Sequence, residues 1–198
     1  EGILGIVKKH YRSIFTLEVM QMDLIIENTT MFDGTGKLPY GPVTVTISGN
    51  KIEAVELSSE TAVHKGHKAE GPAIDGSGMV LMPGLVDSHV HITGSGDPSS
   101  LKRMKELVPH CAIRSTLNAK ATLEAGITAI RDAGGAFLID LALKQAIDEG
   151  LVPGPRLQVA CSSLSITGGH GDSRNGWPPE IEFKGRYVVD SPDEARKA

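Results

Sequence analysis

The first third of the chain is a series of short runs in which apolar and polar residues alternate, the pattern of half-buried β-strands. Residues 43–48 (VTVTIS) and 51–57 (KIEAVEL) show it most clearly, and Gly49-Asn50 between them is typical of a hairpin turn. The remaining predictions for this region are short strands at 23–28, 73–75 and 79–82 and a polar loop at 58–72. Five strands before any helix predict a small β domain.

From Leu85 onward the pattern changes to strands that alternate with amphipathic helices. The spacing of Leu117, Ala121 and Ala125 predicts one helix, and a second is predicted to end before Gly150. The later strands and the long loops are predicted at 127–132 and 156–161, and at 93–113 and 162–190. Such a series indicates parallel strands covered by helices, in a barrel or in an open doubly wound sheet. No Gly-x-Gly-x-x-Gly follows a strand, which argues against a dinucleotide-binding fold.

Composition and charge exclude several classes of function. The net charge of -4 and the aromatic content of 4% give no basis for binding nucleic acid or an anionic membrane. No apolar stretch is long enough to span a bilayer. In residues 1–21 the basic cluster follows the apolar residues, which is the wrong order for a secretory signal. We interpret this segment as a processed leader, an extension or a cloning remnant. Because no secretory signal is recognised, we expect a cytoplasmic protein.

The candidate chemistry lies at the end of the apolar strand that begins after Pro83-Gly84. His89 and His91 are two residues apart, so in an extended strand both imidazoles project from one face and can bind one metal ion. Asp87 lies on the same face, where a carboxylate can orient a histidine through its second nitrogen. A lone His-x-His is usually a pair of unconnected histidines, but the apolar lead-in, the Pro-Gly break and Asp87 favour a metal site.

The stretch Pro83 to His91 (PGLVDSHVH) resembles the first-strand signature of the amidohydrolase superfamily. Residues 119–135 (AKATLEAGITAIRDAGG), 154–157 (GPRL) and 165–172 (SITGGHGD) are similar to its prolidase-like branch, which includes imidazolonepropionase-like and ochratoxinase-like enzymes. The resemblance implies a metal-dependent hydrolase on a TIM (β/α)8 barrel, with a small β-sandwich domain built from both ends of the chain. It also implies a centre of one or two divalent ions, usually zinc, to which His89 and His91 contribute two ligands.

Two further residues are candidates on the same rim. The resemblance implies that His170, in Gly168-Gly169-His170-Gly171, holds the substrate's carbonyl or carboxylate; a loop histidine displayed by flexible glycines is the alternative. Asp132, at the end of the strand 127–132, is interpreted as a rim residue, a helix N-cap or a partner of Arg131. The catalytic residues and the other metal ligands of the family are expected on later strands, after Ala198.

We therefore expect an extension (1–21), a β-sandwich domain (22–82) and the first three strand–helix units of a barrel (83–198). Ser191-Pro192 predicts a further helix, and three strands cannot close a barrel, so we expect the N-terminal part of a longer enzyme that is inactive alone.

The expected partners are a small-molecule or dipeptide substrate and the other half of the barrel. That half belongs either to the same chain or to a second chain, and the formation of a homo-oligomer is left open. The expected reaction is cleavage of an amide or peptide bond in a dipeptide-like (Xaa-Pro) or N-acyl amino acid substrate by metal-activated hydroxide. The alternatives are a cyclic amidine hydrolase or deaminase, and an inactive fragment that acts only as an assembly partner.

Overall fold

The computed structural model describes residues 23–58, 71–172, 174–178, 180–181 and 187–198, without the side chains of Ser100, Arg103 and Met104. The extension predicted at 1–21 and most of the loop predicted at 58–72 lie outside the described residues. The chain divides into two compact units, and the division falls between Gly84 and Leu85. None of the helices in the described part of the chain has the length and apolar character needed to cross a bilayer.

The described strands of the first unit form one mixed sheet. They are β1 (Leu24–Met31), β2 (Tyr40–Ser48), β3 (Lys51–Leu57), β4 (Ala73–Asp75) and β5 (Val80–Leu81). The sheet has the order β3-β2-β1-β4, with β5 also paired to β1, and the buried side chains of Ile26, Val43, Val45 and Leu81 form its core. A second sheet is not present among these described residues, so the predicted sandwich stays a prediction.

Strand β1 runs three residues beyond its predicted end at Asn28. Asn28 has a left-handed conformation (φ 56°), and the register between β1 and β2 shifts between Ile26 and Thr29. Asparagine adopts this conformation more readily than most residues, and such an irregularity lets a strand continue with a local kink. The polar Asn28 therefore marks an irregularity within the strand and does not end it.

The second unit is a three-stranded parallel sheet whose strands are connected through helices. Its elements are β6 (Leu85–Val90), α1 (Ser100–Lys105), α2 (Val108–Glu124), β7 (Ile127–Asp132), α3 (Ile139–Asp148), β8 (Arg156–Val159), β9 (Leu164–Ser165), β10 (Tyr187–Val188) and α4 (Pro192–Lys197). The order is β6-β7-β8, all parallel, while β9 and β10 form a separate two-stranded pair. The core between sheet and helices contains Ile92, Ala119, Ile130, Leu143 and Leu157. This arrangement brings the carboxyl ends of β6, β7 and β8 to one edge.

The prediction of a long loop at 93–113 was wrong, because this segment contains α1 and the start of α2. Pro109 lies in the first turn of α2, where a proline fits without the loss of a helical hydrogen bond. The apolar spacing that predicted this helix also lies on its outer face, since Leu117 is 63% exposed. The buried face carries Leu123 and two small residues, Ser115 and Ala119, and the small residues let the helix approach the sheet closely.

Candidate metal centre

His89 lies in the last residues of strand β6 and His91 directly follows the strand, so both lie at the carboxyl end of the parallel sheet. Their ring centroids are 5.6 Å apart and the ring planes are nearly perpendicular, at 80°. Both residues are exposed. Two accessible imidazoles at this separation are close enough to share one metal ion.

The ring of His91 is held in one orientation by the backbone of the neighbouring strand's exit loop. Its Nδ1 lies 2.9 Å from the carbonyl oxygen of Gly134. Because a carbonyl oxygen only accepts, Nδ1 carries the proton in this contact, and in the neutral ring Nε2 then holds the free lone pair. Metal-binding histidines usually show this arrangement, with one ring nitrogen on the ion and the other donating to a carbonyl or carboxylate. The observed contact therefore leaves Nε2 as the ring nitrogen of His91 that is available to a ligand.

Helix α2 fixes the turn that follows His91. The Asn118 side-chain amide donates to the carbonyl oxygens of Ile92 (2.8 Å) and Gly94 (3.0 Å). Arg114 Nη2 donates to the Thr93 carbonyl at 2.9 Å. The side chain of Ile92 is itself buried in the core. The backbone that presents His91 is thus anchored by packing and by side-chain hydrogen bonds.

Asp87 does not have the predicted role. Its carboxylate accepts from the backbone N–H of His89 at 3.1 Å, and no hydrogen bond joins it to either imidazole ring. Asx-type contacts to a backbone N–H two residues on are a local option for any aspartate. The partner that orients a histidine ring is instead the Gly134 carbonyl, 43 positions away along the chain.

Asp132 is neither a helix N-cap nor an ion-pair partner of Arg131, the two local roles considered for it. The residue is fully buried, and its carboxylate accepts from the backbone N–H groups of Ile92 and Gly134, each at 2.8 Å. Arg131 donates to the Ser88 carbonyl at 2.7 Å and forms no ion pair with Asp132. Asp132 therefore connects the end of β6 to the loop after β7.

His170 lies in an exposed turn that is organised by the next acidic residue. The buried carboxylate of Asp172 accepts from the Gly168 N–H at 3.0 Å and from Arg174 Nε and Nη2, each at 2.8 Å. These hydrogen bonds, above all those from Arg174, hold the pKa of Asp172 well below its usual range. The loop is thus fixed, but the structure shows no contact between His170 and His89 or His91. A substrate-binding role for His170 stays a prediction.

The residues present fit a metal ion in the kind of ligand they offer. His89 and His91 supply two nitrogen donors, and the hydrogen bond from His91 Nδ1 leaves its other nitrogen available. Within the described residues, no group of three or more His, Cys, Asp or Glu side chains is placed to hold a metal ion. A zinc site takes at least three protein ligands, so these two histidines alone would not complete a coordination shell.

The model of the amidohydrolase family matches residues 80–198, more than half of the chain. The chain belongs to the amidohydrolase family. The match includes β6, both histidines, Asp132 and the loop that carries His170.

The chain is similar to several hydrolases of known sequence or structure. Ochratoxinase of Aspergillus niger is 35% identical over 116 residues, which cover 57% of this chain and 23% of that enzyme. A prolidase complexed with N-methylphosphonate-L-proline superposes with a TM-score of 0.71 at 28% identity, covering 89% of this chain and 42% of that one. A Xaa-Pro dipeptidase with methionine bound in its active site gives a TM-score of 0.72 at 26% identity, covering 88% and 43%. The chain thus spans about a quarter of the curated relative and about two fifths of the solved structures.

Proposed function

We propose that the protein containing this chain is a metal-dependent hydrolase that cleaves an amide or peptide bond in a small dipeptide-like or N-acyl amino acid substrate. The observation that carries the proposal is the orientation of His91, whose Nδ1 is bound to the Gly134 carbonyl while Nε2 is left for a ligand. His89, with its ring centroid 5.6 Å away, would bind the same ion. The similarity to a prolidase and to a Xaa-Pro dipeptidase supports an amide-type substrate.

In this proposal the chain's own residues hold and orient the ion. A divalent cation such as zinc, when bound, polarises an amide carbonyl and makes a water molecule acidic near neutral pH. His89 and His91 would hold it at the carboxyl end of β6, the edge at which active sites of (β/α)8 barrels lie. His170 would bind the carbonyl or carboxylate of the substrate from the loop after β8. A zinc centre of one or two ions would need further ligands from outside the described residues.

We further propose the architecture that goes with this activity. The three parallel strands β6, β7 and β8, with α2 and α3 between them, would be the first part of a TIM barrel that begins near residue 83. The sheet of the first unit would belong to a small β-sandwich domain over residues 22–82. The other barrel strands would come from the rest of the protein, as one chain or as a companion chain.

The test is the metal content and the hydrolytic activity of the purified full protein. We expect a divalent metal to co-purify, and we expect His89→Ala and His91→Ala each to abolish both metal retention and turnover of Xaa-Pro dipeptides or N-acyl amino acids. His110→Ala is the matched control, because His110 is an exposed histidine on α2 that contacts Glu106 at 2.8 Å. Wild-type protein without stoichiometric metal would refute the proposal. Turnover of cyclic amidines alone would favour the imidazolonepropionase-like alternative.

A further inference from the structure

The carboxylate of Asp132 is placed to control both the backbone and the ring of His91. Oδ2 accepts from the N–H of Ile92, the residue directly after His91, at 2.8 Å. Oδ1 accepts from the N–H of Gly134 at 2.8 Å, and the carbonyl of the same glycine binds His91 Nδ1 at 2.9 Å. We propose that Asp132 is a positioning residue for the metal ligand His91, acting through Gly134; this inference rests on the proposed metallohydrolase function.

Both hydrogen bonds of Asp132 come from groups that have little freedom to find other partners. Asp132 is fully buried, and so no water competes for its oxygens. Hydrogen bonds to a carboxylate are stronger than those between neutral groups. A buried N–H that loses its acceptor is left without a partner, which costs the free energy of its desolvation. One carboxylate thus fixes the amide after His91 and also the residue whose carbonyl selects the His91 tautomer.

Gly134 is a position where the backbone itself depends on such support. Its φ of +132° lies in a region that side chains disfavour, and an added Cβ would lie 2.7 Å from the backbone nitrogen of Ser163. Phe137 and Leu138, just beyond it, both have φ near +58°. A run of sparsely populated conformations persists only where the surroundings impose it, and such runs cluster at functional sites. The hydrogen bond that Asp132 accepts from the Gly134 N–H is one such constraint, at the residue whose carbonyl contacts His91.

Asp140 offers a comparison, because it is a buried carboxylate of the same unit that has no hydrogen bond to His91, Ile92 or Gly134 among the described residues. It is fully buried and accepts from the Cys161 N–H at 2.9 Å, which ties α3 to the end of β8. If Asp132 were only a structural anchor, its removal and that of Asp140 would have the same kind of effect. If Asp132 positions His91, only its removal changes metal binding.

The experiment measures the affinity of the metal-depleted full protein for Zn²⁺ by competition with a chromophoric chelator. In Asp132→Asn the amide nitrogen replaces one acceptor oxygen and faces a backbone N–H, so one of the two hydrogen bonds is lost at nearly constant volume. We expect about a 10–100-fold loss of Zn²⁺ affinity, the usual cost of losing a group that supports a metal ligand. We expect Asp140→Asn to keep the wild-type affinity, and the Co²⁺ absorption spectrum to change only in Asp132→Asn.

For the variants that fold, two outcomes would overturn the inference. The first is an unchanged Zn²⁺ affinity in a folded Asp132→Asn protein, and the second is an equal loss of affinity in both variants. If Asp132→Asn does not fold, the His91 tautomer of the metal-free wild type decides by nitrogen-detected NMR: Nδ1–H is expected, and Nε2–H would overturn the inference. A wild type that binds no Zn²⁺ would instead refute the proposed function. Zn²⁺ binding that depends on His91 but is indifferent to Asp132 would reject this inference alone.

Discussion

At the scale of single residues, the loop that carries His170 depends on one acidic side chain. Asp172 accepts from Gly168, at the start of the glycine-rich turn, and from Arg174 beyond it. The Arg174 side chain is the largest cause of the low pKa of Asp172. A carboxyl group with a lowered folded-state pKa stabilises the fold above its unfolded pKa and loses that contribution as the pH falls through the folded value. The loop should therefore stay ordered down to pH values below about 4, the ordinary range of an aspartate.

We predict that Asp172→Asn loosens this loop at neutral pH. The amide cannot form the ion pair with Arg174, and one of its two polar atoms donates where the carboxylate accepted. Amide hydrogen exchange of residues 168–172 should become faster by more than tenfold, about 1.4 kcal/mol, in the range for loss of a charged hydrogen bond. The control is Asp193→Asn, because Asp193 is an exposed residue that pairs with Arg196 on α4. Equal exchange in the wild type and in Asp172→Asn would contradict the prediction.

A second residue-scale prediction concerns Asp140. Burial, and then the charge of Asp132, raise its pKa above the ordinary value. A carboxyl group with a raised folded pKa makes the fold less stable once the pH rises through that value, and this cost disappears as the pH falls back toward the unfolded pKa. The Tm of the wild type relative to that of Asp140→Asn should thus increase from pH 8 to pH 4.

The measurement is the thermal unfolding of both proteins over that pH range. Asp148→Asn provides the matched control, because Asp148 is a half-exposed aspartate near the end of α3 that pairs with Lys144. Its difference from the wild type should not follow the pattern seen at Asp140. A constant difference between wild type and Asp140→Asn would show that Asp140 keeps an ordinary pKa.

At the scale of elements, the stability of the second unit rests on the contact of α2 and α3 with the parallel sheet. Leu143 of α3 is 3% exposed and packs in the cluster with Ile130 and Leu157. Leu143→Ala should lower the free energy of unfolding by about 2–5 kcal/mol, the usual cost of a cavity at a buried leucine. Leu117→Ala, at the 63% exposed position on α2, should change it by less than about 0.5 kcal/mol. Chemical denaturation of the two variants tests this, and equal losses would place Leu117 in a core as well.

Elements could be predicted well where the residues that mark them lie within the element and in its flanking turns. Strands β3 (Lys51–Leu57) and β7 (Ile127–Asp132) agree with prediction to the residue, because turn residues bound clear apolar patterns. The buried face of α2 was not predicted: its contact with the sheet selects small side chains such as Ser115, whereas apolar spacing pointed to Leu117. Hydrophobicity identifies a helix better than it identifies the face that packs.

At the scale of the whole molecule, the candidate site could be located from the sequence but its support could not. His89 and His91 were found because their two-residue spacing and the apolar lead-in are local features. The contact of His91 with Gly134 joins residues 43 positions apart, and the contact of Ile92 with Asp132 joins residues 40 apart. No local pattern encodes such pairs; they follow from the parallel pairing of β6 with β7. Candidate residues that share a local motif are therefore easier to find in a sequence than the distant groups that orient them.

At the scale of the whole molecule, the 198-residue chain by itself should bind zinc weakly and lack hydrolytic activity. The described residues offer two imidazole ligands and no group of three metal-binding side chains, while zinc in proteins takes at least three. We expect the isolated chain to bind Zn²⁺ more weakly than the full protein and to hydrolyse neither Xaa-Pro dipeptides nor N-acyl amino acids when Zn²⁺ is added. Calorimetric titration and a substrate panel on both proteins measure this. Turnover by the chain alone that is lost in His91→Ala would assign the remaining ligands to residues of this chain outside the described ranges.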